Sequence, residues 1–157
     1  MNDSQPPIIK KLIPLLILSI SFIIKEREHE ILGSLPFDQN TPVIGGYNSF
    51  KAKEHALTIL SASEYKAQKK NRDVELFRGN ISPLLVTGNF GSAKTAAFAG
   101  DVAPHWVGPF VDWGDKRVIT TTPGAETIEV GCWYAEFFSS LIKWLCKKDR
   151  ETISRPI

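Results

Sequence analysis

The chain lacks a strong charge of either sign. Nineteen Lys and Arg stand against seventeen Asp and Glu over 157 residues, for a net charge of +2. A nucleic-acid binder carries a basic excess gathered on one face. The pairs Lys69-Lys70 and Lys147-Lys148 are too short for that and read as solvated faces, so nucleic acid is not an expected partner. Cysteine is scarce as well, with Cys132 and Cys146 alone. Both fall in one expected helix, fourteen residues apart, which is about 21 Å along its axis. They cannot bridge each other, and their spacing is not that of a metal site. With no disulfide framework, a reducing compartment, the cytoplasm, is expected.

A membrane-length apolar run is missing too. Leu12 to Ile24 reads LIPLLILSISFII, thirteen uncharged residues with Pro14 among them. A spanning helix needs about twenty, so membrane association is not expected. The charged run KEREHE follows, without the small-residue cleavage site of an export signal. A buried strand or core segment is the first reading, and anchoring or export through residues 8–24 is the alternative. Ile and Leu richness alone does not separate strand from helix here. Finally, no G-x-S-x-G or G-x-C-x-G turn occurs. That weighs against covalent catalysis by this polypeptide acting alone.

What is present is ordinary globular material. The chain is 43% hydrophobic and 23% charged, enough for one domain with a real core. Residues 1–27 read as an apolar amino-terminal segment with a disordered start, 28–147 as the domain and 148–157 as a tail. Lys25 to Glu30 is a short helix or exposed turn, and Gly33 to Pro42 a loop. Pro42 to Tyr47 and Ala56 to Ala62 are short strands. Glu64 to Asn80 is a solvated loop or short helix. Pro83 to Thr87 and Thr95 to Ala99 form a hairpin, with Gly88-Asn89-Phe90-Gly91 turning between them. Residues 114–130 read as irregular. Trp133 to Lys147 is a helix with Phe137, Leu141, Trp144 and Leu145 on one stripe. A helix after strands predicts a mixed α/β arrangement.

Three constellations bear on chemistry. Gly88 to Thr95, GNFGSAKT, imitates a phosphate-binding loop, but Ala93 replaces its second glycine and no long helix can follow before Pro104. It reads as a hairpin turn, and no cofactor is implied. Asp101, His105, Trp106, Asp112 and Trp113 form the second. Histidine suits proton transfer near neutral pH, a carboxylate can fix its tautomer, and the tryptophans can wall a pocket. The same residues also read as a structural loop with its histidine capped by Asp101. The third is Gly45-Gly46-Tyr47-Asn48, where a glycine pair lets backbone approach closely either a ligand or a neighbouring strand. His29 and His55 read as surface residues.

At these residues the sequence resembles a known family. Pro83-Leu84-Leu85-Val86 to Gly88, then Gly91, Lys94, Ala97-Phe98 to Asp101 and Ala103-Pro104-His105-Trp106 resemble the carboxyl-terminal part of the glutamine amidotransferase-like proteins of bacteria. Gly46-Tyr47-Asn48, His29 with Ile31-Leu32-Gly33, and the closing helix through Trp144-Leu145 resemble it too, so the likeness runs over residues 28–147. The resemblance implies an α/β fold: a three-layer, flavodoxin-like, mainly parallel sheet with flanking helices, here truncated at its amino-terminal half. It makes His105, with Asp101, the candidate catalytic residue, and Tyr47, Asn48, Trp106 and Trp113 candidate ligand-binding residues. The acid expected two residues after the histidine is Val107 here, and the family's nucleophilic cysteine belongs to the missing half. Fold therefore carries over better than amidase activity. The expectation is an amidotransferase-like domain binding a small molecule or partner without amidotransferase catalysis. The alternatives are an active glutamine amidotransferase or hydrolase whose nucleophile comes from a partner chain, and a structural or oligomerisation module. A halved sheet also exposes an edge, so a homo-oligomer or a covering partner chain is expected.

Overall fold

Leu18–Lys25 forms strand β1, and the face that carries Ser21 and Ile23 looks inward, while Ile24 on the other face is exposed. A computed structural model describes residues 18–70, 73–102, 108–121, 123–124 and 126–147 of the protein. After β1 come β2 (Val43–Ile44), β3 (Leu57–Lys70), β4 (Asp73–Phe90) and β5 (Ala93–Phe98). They form a five-stranded sheet in the order β2-β1-β3-β4-β5. A short 3-10 helix (Gly108–Asp112) follows, then β6 (Arg117–Thr120), β7 (Ile128–Gly131) and helix α1 (Cys132–Cys146).

The apolar amino-terminal segment, in its described part, is the interior strand β1, paired to β3 from Leu18↔Ala67 to Lys25↔Leu60. Residues 12–17 lie outside the described residues. Four expectations are corrected. Every strand pairing among the described residues is antiparallel, where the resemblance implied a mainly parallel sheet. The reason is local: β3, β4 and β5 are joined by tight connections, and a parallel neighbour needs a crossover of a dozen residues or more. Residues 64–70 and 73–80 are not a loop or helix but the outer halves of β3 and β4, in register from Tyr65↔Arg78 to Lys70↔Asp73. The turn lies at Gly91-Ser92 rather than over Gly88–Gly91, because Gly88, Asn89 and Phe90 still pair with Thr95, Lys94 and Ala93. Residues 114–130 contain the β6–β7 hairpin, registered Arg117↔Gly131 to Thr120↔Ile128.

Helix α1 closes the core. Tyr134, Phe137, Leu141 and Trp144 are its buried residues, three to four apart on one face. They pack, with Ile31, Leu32, Leu35 and Phe37 of the segment after β1, against Ile23, Leu60, Ala62 and Leu85 of the sheet. Phe98 of β5 meets Phe137 and Phe138 at centroid distances of 6.0 and 5.5 Å. The helix begins on Gly131 without a side-chain cap. Two of its first amide groups are satisfied by loop carbonyls instead: Cys132 N–H donates to Lys116 O (2.9 Å) and Tyr134 N–H to Trp113 O (3.1 Å). Gly131 makes this approach possible, since a Cβ there would overlap the Trp113 carbonyl.

The β4–β5 turn depends on Gly91, at φ +59° with nothing near the position of a Cβ. Its cost on substitution is therefore conformational alone. Gly91→Ala is expected to lower the unfolding free energy by about 1–2 kcal/mol, and Gly91→Asn by less, since Asn tolerates this region. Urea unfolding of the two variants checks the order.

Candidate functional site

Strand β5 and helix α1 run antiparallel to one another, and this sets two polar clusters at their two ends. At one end, β5 stops at Phe98 and the chain continues through Ala99 to Asp101. Ala99 is fixed on both sides: its N–H donates to Leu84 O at 2.7 Å and its carbonyl accepts from Asn48 N–H at 2.8 Å. The Tyr47-Asn48 strap thus lies beside the start of the loop that bears Asp101. Asp101 is half-buried. Tyr134, on the first turn of α1, donates its hydroxyl to Val102 O at 3.2 Å. The Tyr134 hydroxyl is held above its usual pKa, first by burial and then by the negative charge of Asp101.

Beyond the loop, Gly108 adopts φ +50° and its Cα hydrogens face the backbone of Gly45, so close that a Cβ would lie 3.2 Å from Gly45 N. The close approach foreseen for the Gly45-Gly46 pair is thus with the protein's own backbone. Residues 103–107 are flanked by two backbone anchors, Tyr134 Oη on Val102 and Gly45 against Gly108. His105 and Trp106 lie outside the described residues. Trp113 is 5% exposed. Its indole N–H donates to Asn40 O at 2.7 Å, and its ring packs on Phe37, Phe110 and Trp133. Of the residues named from the sequence, the structure brings Asp101 beside the Tyr47-Asn48 strap and places Trp113 in the core below. Tyr134 was missed, because a tyrosine at helical spacing among phenylalanines looks like core.

The other end was also missed. His29, expected on the surface, stacks edge-on against Trp144 (5.2 Å between centroids), and its Nδ1 accepts the Ile31 N–H at 3.2 Å. Lys94 Nζ lies 5.2 Å from the centre of the same indole, within cation–π range. Glu30 accepts from Lys147 Nζ at 2.8 Å. That ammonium is the chief reason the Glu30 carboxyl is held below its usual range. Among the described residues no group of three or more His, Cys, Asp or Glu could hold a metal ion, and no helix is long and apolar enough to cross a membrane.

Fold and site together define a strand-rich mixed α/β domain with polar clusters at both ends of one strand–helix pair. A family model described as "Putative glutamine amidotransferase" matches residues 19–121, more than half of the chain. The protein belongs to this family. No curated protein matches it.

His29 provides a pH test of the packing. Burial is the main cause that lowers its pKa from 6.5; Glu30 opposes this, while Lys94 and Arg27 add to it. A histidine with a lowered folded pKa favours folding in its neutral form. Its contribution is full above the unfolded value and is lost as pH falls through the folded one. The unfolding free energy is therefore expected to fall as pH drops below about 6.5, and to fall less steeply in His29→Gln. Urea titrations at several pH values check the difference.

Proposed function

We propose that this protein is an amidotransferase-like binding domain, taking a small molecule or partner at the loop of Asp101, His105 and Trp106, and that it does not by itself hydrolyse glutamine. The observation that carries the reading is the placement of Asp101. It stands at the end of β5 beside the Asn48–Ala99 bond, within electrostatic reach of Tyr134, on a loop flanked by two backbone anchors. A carboxylate there can orient an imidazole or accept a ligand N–H or O–H. Tyr47, Asn48 and Trp106 would line the opening, with Trp113 supporting it from the core. Against autonomous amidase chemistry stands the thiol inventory. Cys132 Sγ donates to Asp115 Oδ1 at 3.2 Å, and Cys146 is exposed at the far end of α1. Neither is paired with an imidazole among the described residues, as a thiol nucleophile requires.

The purified chain is expected to release no glutamate from glutamine above a blank, and Asp101→Asn and His105→Ala are expected to leave that unchanged while abolishing thermal-shift responses to ligands. Glutamate release that His105→Ala removes would overturn the reading in favour of an active amidotransferase.

The proposal extends to the sheet edge and to the arrangement that the resemblance implies, a layered sheet shortened on one side. β5 covers β4 only over Leu85–Phe90. From Asp73 to Leu84 the outer edge of β4 has no strand neighbour among the described residues, and Val74, Leu76, Phe77 and Ile81 are exposed along it. Such an edge favours pairing with another strand, and a second copy of β4, antiparallel about a two-fold axis, closes both edges at once. Light scattering is expected to report a dimer that Leu76→Lys with Phe77→Lys converts to monomer; a wild-type chain that stays monomeric at high concentration overturns this.

A further inference from the structure

The cluster around Trp144 is not used by the reading above. It lies ten residues along α1 from Tyr134, about 15 Å down the helix axis. There the helix and the turn after β1 form an open pocket of about 260 Å³, lined by Glu30, Ser140, Lys143, Trp144 and Lys147. We propose that this pocket is a separate binding site for a small anion of carboxylate or phosphate type.

Three observations converge. First, position: Ser140, Lys143 and Lys147 are three and four residues apart, so their side chains share one face of the helix end. Trp144 and Glu30 line the pocket with them. Second, charge: Glu30 is already engaged by Lys147 at 2.8 Å. The lining residues therefore carry a net positive charge, and Lys94 over the Trp144 ring adds to it. A concave surface with a positive excess concentrates anions. Third, donors: Lys143 Nζ and Ser140 Oγ make no side-chain hydrogen bond to another described residue. An ammonium and a hydroxyl one helical turn apart are a donor set that an oxyanion takes through charge-assisted bonds. The helix dipole accounts for lysines in a last turn, but not for a hydroxyl and an indole beside them in a concavity. The size sets the ligand class. Drug-sized ligands need roughly 300–1,000 Å³, so the occupant is small, an anionic head on a short body that can lie against the indole.

The test uses the full chain at fixed ionic strength in chloride, titrated with inorganic phosphate and, separately, with succinate, and read by amide and indole chemical shifts. Saturable shifts at Ser140, Lys143 and the Trp144 indole are expected for at least one of the two anions, and which one saturates assigns the head group. Lys143→Met keeps the helix and the stem and removes the charge; it is expected to weaken binding about tenfold. Lys51→Met, at an exposed residue elsewhere, is expected to change nothing. No saturation by either anion, or equal affinity in Lys143→Met, overturns the proposal. Because Asp101 takes no part, Asp101→Asn is expected to leave these titrations unaltered, so this proposal and the preceding one stand or fall separately.

Discussion

The ring of Phe137 is the contact on which the rest of the structure depends. It is fully buried and meets Phe37, Phe98, Phe110 and Phe138 at centroid distances of 5.0 to 6.1 Å. Those four rings belong to the segment after β1, to β5, to the 3-10 helix and to α1. One side chain thus ties three other stretches of the chain to α1. Edge-to-face and tilted pairs of this kind contribute about 0.5–1.5 kcal/mol each beyond the area they bury. The direction of α1 follows. With Lys94 at Trp144, Phe98 at Phe137 and Phe138, and Val102 at Tyr134, the start of β5 lies beside the end of the helix and the end of β5 beside its start. That course sets Lys94 at one end of the pair and Asp101, which acts on Tyr134, at the other. Both polar clusters are consequences of one aromatic register.

A second constraint is the carbonyl of Trp113. A helix start leaves amide groups unsatisfied, and α1 has no side-chain cap. The Trp113 carbonyl accepts the Tyr134 N–H, while the Trp113 indole donates to Asn40 O. One residue thereby joins the helix start to the loop before β2. Gly131 and Gly114 leave the space for it: a Cβ on Gly114 would lie 2.7 Å from Cys132 N. The aromatic core and the polar start of α1 are built on the same residue, which is why Trp113 belongs to the scaffold beneath the site.

What the sequence revealed follows from how each element is buried. Helix α1 is covered on one face, so its period of three to four apolar residues shows plainly from Tyr134 to Trp144. The inner half of β4 is covered on both faces, so Leu84, Leu85, Val86 and Thr87 form a continuous buried run. The outer half of β4 is exposed from Asp73 to Ile81, and Glu64 to Gln68 of β3 are at most half-buried. Their pattern is set by cross-strand pairing alone, and residues such as Lys66, Gln68 and Glu75 look like a solvated loop. The β6–β7 hairpin was hidden for the same reason, since Arg117 to Thr120 is exposed throughout. The place of Asp101 was legible because Thr95 to Ala99 read as a strand, and the structure ends β5 at Phe98, just before it. His29 was not, because its sequence neighbours are charged and its partner, Trp144, lies more than a hundred residues away.

The two anchors around residues 103–107 bear on what this loop can do. Each is made by backbone on the loop side: the Val102 carbonyl accepts from Tyr134, and Gly108 packs against Gly45. Both use main-chain groups, so the path of the chain at Val102 is set by helix α1 and its path at Gly108 by the backbone of Gly45. The same helix start that takes the Trp113 carbonyl therefore also fixes where the chain leads after Asp101.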